Sequence, residues 1–175
     1  MNFYHLFFIL PPAMLAYSTS KRRVFLLANA ATIIVVILAF LEKNNLSGVW
    51  IETMMLSVHV AALLLPSKIE GRMRKIAPPV SFFIVLLVNQ NLYDYLMATA
   101  ILFFTMAVFQ DNMLRNKIFM IIGMFFMLAF SLKVGAEPVI LINILGIIFL
   151  SVSYVKLRTV KPNNESSFHS RSHDT

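Results

Sequence analysis

The chain contains no cysteine. Structural disulfides, thiolate metal sites and thiol catalysis are all excluded by that one absence. Charge is scarce too: 13% of the 175 residues are Asp, Glu, Lys or Arg, against about a quarter in soluble domains. No metal-ligand spacing, glycine-rich phosphate loop or nucleophile elbow occurs, and the four histidines, His5, His59, His169 and His173, are scattered along the chain. These gaps predict a protein that is not an enzyme and holds no metal or cofactor.

What is present is apolar. Hydrophobic residues make up 59% of the chain and the mean hydropathy is +0.78, which points to an integral membrane protein. A formal charge of +7 would suggest nucleic acid in a soluble chain. Here the basic residues punctuate hydrophobic runs, so the positive-inside rule accounts for them and no nucleic-acid partner is expected.

Seven apolar stretches can be read, at 3–17, 24–41, 49–65, about 77–92, 95–109, 118–132 and 139–155. Several have only 15–18 residues, about 22–27 Å of helix against a hydrocarbon core near 30 Å. Such spans must stand upright, thin the bilayer or lengthen by recruiting flanking polar residues. The fourth has the weakest apolar core, Val80–Val88, between Pro78-Pro79 and "NQN".

Charge placement supports the count independently. Lys21, Arg22 and Arg23, then Lys68, Arg72, Arg74 and Lys75, then Arg115 and Lys117, then Lys156, Arg158 and Lys161 fall in alternate connections. With Arg171, 13 of the 15 basic residues lie on one side, and only Lys43 and Lys133 on the other. The N-terminal "MNFYHLFFILPPAMLAYSTSKRR" carries its basic cluster after its apolar run. That order fits an uncleaved first span with its N-terminus outside, and the C-terminus then lies in the cytoplasm. Tyr4, Tyr17, Trp50, Tyr93, Tyr95 and Tyr154 all fall near expected span ends, where aromatic rings favour the headgroup region. The polar end "KPNNESSFHSRSHDT" reads as a disordered tail, and "NQNLYDY" (89–95), with Asp94, as an outer loop.

Three spans, a weak fourth and three more imply a 3+1+3 parallel repeat. A shift of 94 residues aligns "KRRVFLL" (21–27) with "RNKIFMI" (115–121) and "LSV" (56–58) with "LSV" (150–152), but few other positions are identical. The repeat therefore rests on span count and charge placement.

The turn "STSKRRVFLLANA", the basic "SKIEGRMRK" and the closing "VILINILGIIFLSVSYVKLR" together resemble the YgjV-type bacterial inner membrane proteins, over roughly residues 3–160. The resemblance implies a location in the bacterial inner membrane and a fold related to the PQ-loop and SWEET-like carriers. By analogy with those carriers, an Asn in the final triplet contacts substrate, which singles out Asn143.

Polar side chains within the spans are the functional candidates, since an ion at mid-membrane costs roughly 2.5–3.5 kcal/mol on insertion scales. Glu52 and His59 lie seven residues apart, close to one face of the third span. Glu52 is shallow and reads either as a hydrated interfacial anchor or as the mouth of a path. His59 is deeper: it ties helices together, or it contacts a solute or proton. Asn143 and Asn29 can grip a neutral polar solute or bridge helices. Pro11 and Pro12 interrupt the first span as a hinge or a fixed kink, and Gly123 and Gly146 permit close helix approach.

The combined expectation is an all-α polytopic protein with a seven-span membrane domain at 1–161 and a tail at 162–175. Within the domain, a three-helix bundle (1–76), a linker helix (77–94) and a second bundle (95–161) are expected. It would carry a small polar solute by alternating access, with Asn143, His59, Glu52 and Asn29 along the path. The alternative is a non-transporting accessory, sensory or immunity protein acting through a protein partner. The bilayer is the expected environment, and homo-oligomerisation is left open.

Overall fold

The structure is a computed structural model that describes residues 4–42, 46–65, 67–88, 94–135 and 137–160. The described residues form an all-helical protein of seven helices: α1 (Tyr4–Ser18), α2 (Arg22–Glu42), α3 (Leu46–Leu64), α4 (Ser67–Val88), α5 (Asp94–Val108), α6 (Met113–Val134) and α7 (Glu137–Val160). Helix is the expected outcome for these runs, because in lipid each backbone N–H and C=O must find its partner within the segment. Two helices, Met113–Lys133 and Val139–Thr159, are long and apolar enough to cross a membrane. Their side chains are mostly outward-facing, and large apolar residues are bare elsewhere as well, up to 81% exposure at Leu87.

Several helices run past the apolar stretches. α6 starts at Met113, so Arg115 and Lys117 belong to its first turns and not to a connection. Asn112 caps it by accepting from the Leu114 N–H at 3.0 Å, and Gly135, at φ 68°, closes its other end. α4 starts at Ser67, so the basic segment expected to be a loop is its amphipathic beginning. Glu70, Met73, Arg74 and Ala77 turn inward, while Arg72, Lys75 and Ile76 stay exposed. α1 and α5 end at Ser18 and Val108, and 15 residues of each are described. Pro11 and Pro12 lie inside α1, which runs on through them as one helix. Residues 89–93 of the expected outer loop and the tail from 161 onward lie outside the described residues.

Consecutive helices pack as α1·α2, α2·α3, α4·α5, α5·α6 and α6·α7, and the contacts α1·α7 and α3·α5 close the arrangement into a ring. α4 sits mainly on α5 and only lightly on α3. The two glycines expected at close approaches are there for that reason. A Cβ on Gly123 would come within 2.6 Å of the Phe104 ring, and one on Gly146 within 3.1 Å of the Tyr17 ring and 2.5 Å of Met124 Sδ.

The core holds two apolar clusters. One gathers Ile9, Ala13 and Ala16 of α1, Phe25, Leu26 and Ala28 of α2, Ala62 of α3, Ala107 and Val108 of α5, Met120 and Met124 of α6 and Leu150 of α7. The other gathers Ile33, Ile51, Met55, Val85, Met97 and Ile101. The α1–α2, α3–α4 and α5–α6 turns converge at one end, where Arg22 pairs with Glu70, Arg74 reaches the Phe109 carbonyl and most of the described basic residues lie. Below it is called the basic end.

Candidate functional site: a buried polar belt above a capped end

Four helices each contribute a buried polar side chain to one connected group around Met55. On α2 it is Asn29, between Ala28 and Ile33; on α3 it is His59, between Met55 and Ala62. On α5 it is Thr105, between Ile101 and Ala107; on α4 it is Ser81, between Ala77 and Val85. All four are buried, His59 and Thr105 completely.

Their hydrogen bonds follow from what each group can donate. The Met55 carbonyl only accepts, so His59 Nδ1 carries the proton and donates to it at 2.8 Å. Nε2 is then a bare acceptor and takes the Asn29 Nδ2–H at 2.7 Å. His59 is therefore a neutral imidazole with both nitrogens engaged, joining α2 to α3. Ser81 donates to the Pro78 carbonyl at 2.9 Å, and the Thr105 hydroxyl lies 3.1 Å from Ser81 and 3.9 Å from Met55 Sδ. Met55 links the two halves, with its carbonyl on one and its sulfur on the other.

Glu52, on the His59 stripe, is half-buried and makes no hydrogen bond or ion pair among the described residues. Tyr17, expected at the headgroups, is in fact buried, with its ring against Gly146 of α7. Trp50 and Tyr95, by contrast, are exposed as an interfacial role requires. Asn143 is buried at 4% exposure but donates only to the Val139 carbonyl of its own helix, at 2.9 Å. The structure thus brings Asn29 and His59 together and leaves Glu52 without a bonded partner among the described residues. Asn143 stays apart on α7, which packs on α6 and α1.

The basic end holds residues that sequence reasoning had placed in connections. The final carbonyls of α1 and α5 end inside the protein and take donors from elsewhere. On α5, Asn116 Nδ2 donates to Ala107 O at 2.8 Å, Arg22 to Val108 O at 3.2 Å and Arg74 Nε to Phe109 O at 2.8 Å. Arg22 also pairs with buried Glu70, and Arg74 with Asp111. On α1, the fully buried Lys117 donates to Tyr17 O at 2.5 Å and to Ala16 O at 3.4 Å, with the Phe25 ring 5.9 Å away. An ammonium suits the carbonyl end of a helix dipole. The only trace of these roles in the sequence is that Arg22, Arg74 and Lys117 stand just outside, or at the edge of, an apolar run. No group of three or more His, Asp or Glu suited to a metal ion occurs among the described residues.

Residues 53–161, from α3 to the end of α7, match the sequence profile of a family of bacterial inner membrane proteins, Imp-YgjV. The chain belongs to this family. It is accordingly a multi-pass protein of the bacterial inner membrane, and the match to Imp-YgjV takes in His59, Lys117 and Asn143 while leaving Asn29 and Glu52 outside. No curated protein matches the chain, and no solved structure does.

Proposed function

We propose that this Imp-YgjV protein carries a small polar solute across the inner membrane by alternating access. In this reading all seven helices cross the bilayer, with the N-terminus outside and the basic end in the cytoplasm. α1–α3 and α5–α7 are the two moving bundles and α4 is the linker between them. The observation that carries the proposal is the buried neutral polar belt of Asn29, His59, Ser81 and Thr105, with the unspent Glu52 carboxylate on the same α3 stripe as His59. Transporter sites lie near the bilayer midplane, where unsatisfied polar groups are otherwise costly.

Within that path His59 and Asn29 form the wall, Glu52 stands on the outer side of the belt, and Asn143 approaches from α7. A non-transporting role has one observation in its favour: Asn29, His59 and Asn143 already satisfy one another or their own backbone, as structural ties would.

The cysteine-free sequence permits a direct test. A single Cys at position 143, or at 52, is labelled with impermeant thiol reagents from each side, alongside lipid-facing controls on α2. Transport requires labelling from both sides and shielding by some fraction of a metabolite mixture. Labelling from neither side at both positions would overturn it in favour of a partner-binding role.

A further inference from the structure

α1 and α5 are held at the basic end in different ways. Three consecutive carbonyls of α5 and its exit, at 107, 108 and 109, are held by three side chains from three helices. In α1, the Ala16 and Tyr17 carbonyls depend on the single Lys117 ammonium, with Ser153 Oγ donating to Ser18 O at 3.4 Å. Lys117 has no carboxylate partner among the described residues, so α1 itself is what its charge answers to. Halfway along α1, Pro11 and Pro12 lack N–H groups and leave the carbonyls of residues 7 and 8 without their helical bonds. A proline pair of this kind is a place where a helix bends.

We infer that the C-terminal half of α1, Ala13–Ser18, is a gate at the basic end, hinged at Pro11–Pro12 and latched shut by Lys117. Tyr17 couples the latch to the interior. Its carbonyl is what Lys117 holds, and its ring lies against Gly146. Releasing Lys117 lets the segment swing at the prolines, draws the ring away from α7 and opens the space beneath the belt to the basic end. The opposite helix cannot do this, having no proline and three separate holds. The inference rests on the transport reading for its purpose, but not for its test.

The test places a single Cys at Ala16, which is fully buried, and follows labelling by an impermeant maleimide on inside-out vesicles. A second Cys protein, at exposed Thr159, serves as the rate standard. In the otherwise native chain Ala16→Cys is labelled slowly. Adding Lys117→Gln raises the rate at least about tenfold, the shift expected for losing a charged hydrogen bond, while Lys117→Arg keeps it slow. Adding Pro11→Ala and Pro12→Ala to the Lys117→Gln protein slows it again. If Lys117→Gln fails to fold, Ser153→Ala decides, with an expected rise of about threefold. Fast labelling in the native chain, no acceleration on unlatching, or indifference to the prolines each overturns the gate. No solute is present in this assay, so it reads the gate alone, whereas two-sided access at position 143 reads transport.

Discussion

α1 and α5 end at the same face of the protein, and the closing carbonyls of both are held by side chains from other helices. They differ in redundancy. α5 is anchored through Asn116, Arg22 and Arg74, two of which are themselves braced by Glu70 and Asp111. α1 is anchored through one lysine and one weaker hydroxyl, and two prolines soften it midway. A helix in a membrane protein leaves the same debt of carbonyls wherever it stops. How many neighbours answer that debt decides whether the helix is a fixed post or a moving part.

The comparison can be broken in graded steps. Lys117→Ala should have the largest effect, destabilising the protein by about 2–3 kcal/mol as the charged bonds to α1 vanish. Unfolding in mixed micelles measures it, and hydrogen exchange should place the loosening in the last turn of α1. Glu70→Ala comes next at about 2 kcal/mol, since Arg22 is left partly buried without its carboxylate yet keeps the Val108 carbonyl. A double-mutant cycle with Arg22→Ala should recover part of that loss. Asn116→Ala should cost about 1 kcal/mol, because two other donors still hold α5 and the unpaired Asn116 oxygen leaves with the side chain. Asp111→Asn should be smallest, under about 0.5 kcal/mol, as its pair with Arg74 is largely exposed. Should Asn116→Ala rival Lys117→Ala, α5 would be no better secured than α1 and the contrast would fall.

The polar belt offers a sharper comparison with the basic end. At the basic end, where helix ends approach water, the protein uses ions; at mid-height it uses only neutral groups, each bonded. His59→Leu should cost about 1–1.5 kcal/mol by leaving Asn29 buried and unpaired. The double variant with Asn29→Leu should be less costly than His59→Leu alone. Additive losses would mean that the two side chains do not act as a pair.

Much of the architecture was legible in the sequence because membrane insertion leaves its record in hydropathy and basic residues. The seven apolar runs correspond to the seven helices, and Gly123 and Gly146 sit where helices approach closely. The beginning of α4 was misread because Lys68, Arg72 and the proline pair look like a loop. The inward set at 70, 73, 74 and 77 has helical spacing, yet it contains a Glu and an Arg, so hydropathy does not show it. Lys117 was hidden for a different reason. A lysine beside an apolar run counts as a topology marker, and only the third dimension shows a carbonyl from a distant helix at its tip. Asn29 and His59 were each visible as candidates; their meeting was not, since a separation of 30 positions carries no sign of it.

The span between Lys117 and the Tyr17 carbonyl is 100 residues of chain. A ribosome adds roughly 5–20 residues each second, so the end of α1 waits about five to twenty seconds after synthesis before its cap emerges. During that interval four helices, α2 to α5, must be made and packed around an unfinished first one. A chain truncated within α5 would present that raw end to the membrane's quality-control proteases, which makes the arrival of α6 the moment at which the earliest segment becomes safe.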